Sequence, residues 1–181
     1  MPESQLHLDL RTLLYQLLSA HLGESGTVGS DQFVYLDASN PKRCIAPDVY
    51  AKATPRGEPI RSWKVWERGA PDVAVEIISE SDAGDASWDD KFALYRALGV
   101  KELVRLDLVS GGPPLRVWHR TQEELAELEV PDAADVDMPH VASLVFDFYW
   151  LIAPAGRLQR TLRIASAIDP LTLIPTDAEA R

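Results

Sequence analysis

The 181-residue chain has one cysteine, Cys44, so no internal disulfide can form. A reducing cytoplasm is the expected compartment for such a chain, and Cys44, just ahead of a strand, is expected to be inert. No apolar run approaches the roughly 20 residues a membrane helix needs. The start, "MPESQLHLDL", has neither the basic opening nor the apolar stretch of a signal peptide. No membrane partner is therefore expected. Positive charge is scarce: 18 Lys and Arg against 28 Asp and Glu leave a net charge of -10, which argues against a general nucleic-acid coat protein. Glycine-rich phosphate loops, internal repeats and low-complexity linkers are all missing. His21, His119 and His140 are scattered without metal-ligand spacing, and no Ser-His-Asp arrangement is visible.

What is present is the composition of an ordinary globular protein, 46% hydrophobic and 25% charged, in a length that suits one domain spanning 1–181. The charge is unevenly spread. From Lys42 to Arg68 seven basic residues (Lys42, Arg43, Lys52, Arg56, Arg61, Lys64, Arg68) face three acidic ones (Asp48, Glu58, Glu67), seven minus three giving +4. From Thr121 to Asp147 there are eight acidic residues and no lysine or arginine. Two solvated surfaces of opposite sign would explain this. So would a basic stretch facing an anion and an acidic one facing water or another subunit.

The leucines at 6, 10, 13, 14, 17 and 18 predict an amphipathic helix over 4–22, stopped by Gly23. Strands are predicted for "QFVYLD" (32–37), "CIAPDVYAKA" (44–53) and 72–79, then a helix over 87–98 closing at Gly99. "ELVRLDLV" and "LRVWHR" flank the turn "GGPP" as a hairpin, and the C-terminal third either adds strands or covers the sheet. The expected class is α/β with helices on a sheet.

One residue breaks the pattern. Glu76 stands inside the β-branched run of "PDVAVEIISESD", where an unpaired carboxylate costs several kcal/mol, as an order of magnitude. If its strand pairs antiparallel with that of Asp48, a register opposing 48 to 76 sets Lys52 against Asp72, with 53–71 as a connecting arm. Two neighbouring carboxylates repel unless a cation lies between them, and a hard divalent ion is the simplest one. On the second helix, Lys91 falls within the stripe of Trp88, Phe92, Tyr95 and Leu98. A lysine there either snorkels to the edge or has an anionic partner inside. Glu76 is thus expected to be a metal ligand in a site with Asp48 and Lys91.

The order of Pro47-Asp48 and then Glu76 in the next strand resembles the PD-(D/E)xK nuclease superfamily. More closely, "APDVAVEIISESD" (70–82), "KFALY" (91–95) and "GVKELVRLD" (99–107) are similar to the bacterial restriction-endonuclease family with the Uma-type domain of unknown function. The resemblance covers about residues 5 to 110. It departs from the usual pattern at Ile78, where the superfamily lysine normally stands, at "SES" (79–81) and at "ELVRLD". It implies an α+β, restriction-endonuclease-like core: a mixed central sheet flanked by helices, with a C-terminal β-rich extension. It also implies an endonuclease hydrolysing phosphodiester bonds with Mg²⁺ (or Mn²⁺) held by Asp48 and Glu76, with Lys91 completing the catalytic set. Nucleic acid, DNA before RNA, is the implied partner, and there is room for a homodimer. Arg56, Arg61 and Lys64 would grip phosphates, with Trp63 and Trp66 either stacking on bases or packing the arm. His7, matching a histidine of the family, is a packing residue or supports the site from behind. Asp72 is a turn or cap residue or a more distant support. The rival reading keeps the fold and drops the chemistry: a catalytically silent homologue, acting as a binding or interaction protein, in which Lys91 only neutralises buried carboxylates.

Overall fold

A computed structural model describes residues 3–82, 85–131 and 138–181. The first helix, α1 (Gln5–Leu22), begins where the Ser4 hydroxyl accepts from the His7 backbone N–H at 3.2 Å. It ends at Gly23, whose φ of 55° would strain any side chain. Leu10, Leu14, Leu17 and Leu18 are its buried face, while Leu6, expected in the same stripe, is 49% exposed.

The central sheet has six strands: β1 (Thr27–Gly29), β4 (Val49–Lys52), β6 (Val73–Ile77), β7 (Glu102–Leu106), β8 (Leu115–Thr121) and β9 (Glu124–Glu127), ordered β1-β4-β6-β7-β8-β9. Helix α3 (Asp85–Leu98) makes the crossover between β6 and β7, the parallel pair of this sheet; its other pairings are antiparallel. Alternation along the strands sorts the core into two layers. Val73, Val75 and Ile77 of β6 face α1 and the C-terminal strands. Ala74 on the opposite face meets Tyr95 and Leu98 of α3 with Leu103 and Trp118.

Two sequence expectations change here. The strand foreseen over 44–53 is two, β3 (Cys44–Ile45) and β4, separated at Ala46-Pro47-Asp48. Pro47 has no N–H for a ladder. Its carbonyl accepts from the Asp31 N–H at 3.1 Å, and the Asp48 carbonyl accepts from the Ser30 hydroxyl at 2.7 Å. The chain thereby leaves a small sheet, β3-β2-β5 with β2 at Val34–Tyr35 and β5 at Trp63–Lys64, and enters the central one. The segment 53–71 is likewise no free arm. It contains β5 and a short helix, α2 (Val65–Arg68), pinned by Trp63, which is 2% exposed and donates its indole N–H to the Gly69 carbonyl at 2.8 Å.

The C-terminal third is the β-rich extension: β10 (His140–Ala142), β11 (Tyr149–Ala155), β12 (Leu158–Ile168) and β13 (Leu171–Leu173) form an antiparallel sheet. Its Trp150, Leu162 and Ile164 share the core layer of Val75 and Leu106. Glu102, fully buried, fastens the two sheets by accepting from the Ser143 hydroxyl (2.8 Å), the Leu144 N–H (2.7 Å) and the Trp150 indole N–H (2.8 Å), while lying 2.7 Å from His119 Nε2.

Candidate active site

The site lies where β4 begins and β6 ends. The observed register pairs Val49 with Val75, Tyr50 with Ala74 and Ala51 with Val73, which continues to 48 opposite 76 and 52 opposite 72. Asp48 and Glu76 are therefore neighbours at one end of the two strands. Asp72 is at the other end, roughly 13 Å back along β6. There it accepts from the Ala53 N–H at 2.8 Å and pairs with Lys101 at 3.1 Å and Lys52 at 3.8 Å. It is a tie between loops, and the site does not include it.

Glu76 is 2% exposed and points into the α3 side of the sheet. Lys91 Nζ donates to its Oε2 at 3.2 Å, and the Tyr95 hydroxyl donates to its Oε1. Lys91 and Tyr95 are one helical turn apart, so a single face of α3 holds both carboxylate oxygens. Asp48 Oδ2 accepts from the Ile77 N–H at 2.7 Å. From the other side of the sheet, α1 brings His7 over the strand ends, with Nε2 3.0 Å from the Ile77 carbonyl oxygen and 3.2 Å from Asp48 Oδ1. Its Nδ1 meets Glu3 Oε1 at 2.5 Å. Both ring nitrogens thus face acceptors, which selects the imidazolium.

The charges follow from this geometry. Contact with Asp48 pushes the His7 pKa up to about 9, against the opposing effect of burial, with Glu3 and the Ile77 carbonyl adding to the rise. Burial first, and then the Asp48 charge, raises Glu76 to about 7, although Lys91 and Tyr95 pull the other way. Burial lowers Lys91, but Glu76 and Asp82 outweigh it, so its pKa is raised and the ammonium persists at neutral pH. Asp82, in the turn after β6, is 3.7 Å from Lys91 and accepts from the Ser79 hydroxyl at 2.7 Å.

A cavity of about 440 Å³ opens over these groups, lined by His7, Arg11, Asp48, Glu76, Asp82 and Lys91. The Asp48 and Glu76 carboxylates in its lining, with the Ile77 carbonyl beside Asp48 at the same His7 nitrogen, are oxygen donors of the type a hard divalent ion takes. Among the described residues no group of three or more His, Cys, Asp or Glu could hold a metal, so these residues offer no complete cage. Two carboxylates with the remaining positions left to water and a phosphate suit Mg²⁺ rather than Ca²⁺.

Two residues beyond Asp48, Glu76 and Lys91 belong to the site: Asp82, whose place after the strand suggests only a turn, and Tyr95, whose place in the helix suggests only the apolar stripe. A tyrosine on a packing face needs a partner for its hydroxyl, and Tyr95, one turn from Lys91, faces the same buried carboxylate, Glu76. None of the proposed phosphate-gripping residues lines this cavity. The Arg56 backbone N–H donates to the Glu24 carbonyl past the far end of α1. Arg61 is exposed, and Lys64 pairs with Glu67 at 3.6 Å. Of the two tryptophans, Trp63 is packed and Trp66 is 48% exposed.

A comparison with curated proteins gives no match. Among solved structures, the chain is similar to a protein from Anabaena variabilis ATCC 29413, described as "a putative nuclease belonging to DUF820". The two share 17% identity and a TM-score of 0.52 over 74% of this chain and 72% of that one, a likeness of fold. Residues 1–157 match the family Uma2, described as "Putative restriction endonuclease". That stretch takes in Asp48, Glu76 and Lys91 and reaches the turn of the C-terminal hairpin formed by β11 and β12, and the chain belongs to the Uma2 family.

Proposed function

We propose that the protein is a metal-dependent endonuclease that hydrolyses phosphodiester bonds in DNA. The observation that carries this reading is the pairing of Asp48 with Glu76 at adjacent strand ends under an open cavity, with the Lys91 ammonium 3.2 Å from Glu76. Asp48, Glu76 and the Ile77 carbonyl would hold Mg²⁺ or Mn²⁺. A divalent ion bound there would polarise the scissile phosphate and make a bound water acidic enough to act as nucleophile. Lys91 enters as an ammonium, so it orients the attacking water and stabilises charge on the phosphate rather than removing a proton. Tyr95 and the Ile77 N–H each occupy one carboxylate oxygen from behind, which fixes the rotamers of Glu76 and Asp48. The His7 N–H lies against Asp48 Oδ1 and the Ile77 carbonyl, so divalent binding requires its proton to leave or its ring to turn aside.

One observation favours the silent alternative, in which the fold serves binding only: each carboxylate oxygen already has a protein donor or cation beside it. Metal binding separates the two readings. Mn²⁺ should raise the melting temperature of the parent, because a ligand held by the native state stabilises it. Glu76→Gln and Asp48→Asn should each remove the shift. Cleavage of single- and double-stranded DNA and RNA with Mg²⁺ is then the direct assay. A metal shift surviving both substitutions would overturn the site, and a folded, metal-binding parent that cleaves none of these would leave the silent reading.

A further inference from the structure

A second cavity, of about 480 Å³, lies beside the first along α1. Arg11 lines the first and Tyr15 the second. Residues four apart share a helix face and are about 6 Å apart along its axis. The partition between the cavities is the Ser30–Asp31 segment, with Asp31 lining the first and Ser30 the second. This segment is tied to the site itself, through the Ser30 hydroxyl on the Asp48 carbonyl and the Asp31 N–H on the Pro47 carbonyl.

The lining is chemically mixed. Tyr15 is 37% exposed and presents an aromatic ring, and Arg56 is exposed on the loop after β4. The Gln32 amide is held at both ends: its oxygen accepts from the Tyr50 hydroxyl at 2.6 Å and its nitrogen donates to the Ile60 carbonyl at 2.7 Å. One amide N–H and one oxygen lone pair remain. The Tyr50 ring lies flush against Gly29, where a Cβ would come within 2.1 Å of it, so that part of the lining is fixed. Glu58, also on the lining, offsets Arg56. A locally neutral site of this kind disfavours a free polyphosphate and suits one phosphodiester with its base.

We propose that this second cavity receives an unpaired nucleotide adjoining the scissile phosphate, with its base on Tyr15, its phosphate at Arg56 and its edge toward Gln32. The proposal rests on the nuclease reading and narrows it: the substrate is single-stranded at that nucleotide, because a base in a duplex has both faces stacked and its pairing edge occupied. The test uses the full chain carrying Glu76→Gln, with anisotropy of a labelled single-stranded DNA and of the same sequence as a duplex. Single strand should bind more tightly than duplex. Tyr15→Ala with Arg56→Ala should weaken single-strand binding by on the order of tenfold and duplex binding much less. Tyr15→Phe in place of Tyr15→Ala should restore most of the loss, since it keeps the ring. Undiminished single-strand affinity in the double variant, with its melting temperature retained, would overturn the proposal. Equal losses for both forms would also overturn it, by reducing Arg56 to a general charge. Cleavage by the parent, measured alongside, separates the failures: cleavage with unaltered binding sinks this cavity alone, whereas a parent that neither binds nor cleaves sinks the nuclease reading with it.

Discussion

At the scale of single residues, Lys91 discriminates between nuclease and silent homologue, because its position beside Glu76 is common to both. If it acts on water or phosphate, Lys91→Met should bind Mn²⁺ and stay folded while hydrolysis falls by about 10² or more. If it is only a counter-charge, the variant should chiefly lose stability. The loss should lie below the 3–5 kcal/mol typical of a fully buried pair, since the Lys91 side chain is 30% exposed. Glu76 and His7 give a pH signature with a definite sign. Folding raises both pKa values, to about 7 and about 9. For Glu76, stability is full below the unfolded value near 4.5 and declines as pH rises through about 7. For His7, it is full below 6.5 and is lost as pH rises through about 9. Metal-free Glu76→Gln should therefore melt higher than the parent at pH 8, with the gap closing below pH 4.5. His7→Ala should be more damaging at pH 6 than at pH 10. Thermal melts across pH check both, and a gap for Glu76→Gln that widens in acid would show that the Glu76 carboxylate is stabilised, not strained, by its surroundings.

At the scale of elements, the strand of Glu76 and the one that follows Asp48 were legible because period-2 alternation fixes which residues share a face and one glutamate stands out in a β-branched run. The observed pairs, Val49 with Val75 through Ala51 with Val73, continue to Lys52 against Asp72, as a register opposing 48 to 76 implies. The second helix was legible for the same reason, its stripe placing Lys91 toward the sheet. The break at Pro47 and the strand at Thr27–Gly29 were not, since a three-residue strand carries no periodicity and its pairing partner is distant in sequence. Nor was the role of Glu102, whose partners Ser143, Leu144 and Trp150 are more than 40 residues away. That residue sets how firmly the C-terminal sheet is held. Glu102→Ala would leave an indole N–H, a hydroxyl, a backbone N–H and His119 without their acceptor. It should cost on the order of 3–5 kcal/mol in urea unfolding. A loss under about 1 kcal/mol would mean that water replaces the carboxylate and that the sheets are held by apolar packing alone.

At the scale of the whole molecule, the uneven charge of the sequence becomes a spatial one. The basic stretch 42–68 contains β4, next to the β1 edge of the central sheet, while the acidic stretch from 121 contains β9 at the opposite edge. Five strand spacings, about 24 Å, separate those edges. Glu124 and Glu127 on β9 place charge on a strand that could otherwise pair with another chain. An anionic polymer is therefore expected to meet the β1 side rather than the β9 side. The basic residues of the C-terminal hairpin are the competing surface, but Arg163 cannot serve. It is fully buried, with Glu179 at 2.7 Å and the Pro154 carbonyl at 2.7 Å, which leaves the exposed Arg157 and Arg160. If nucleic acid docks along the β1 side, affinity should fall linearly in log–log terms with salt. Changing Arg56, Arg61 and Lys64 together to alanine should flatten that slope by up to about three phosphate contacts. Lys64 should contribute least, because Glu67 already pairs with it. Arg157→Ala with Arg160→Ala should leave the slope unchanged. Salt titrations of the three proteins with one labelled DNA decide the matter: a slope that flattens only in the Arg157/Arg160 variant moves the docking surface to the C-terminal hairpin and away from the edge nearest Asp48 and Glu76.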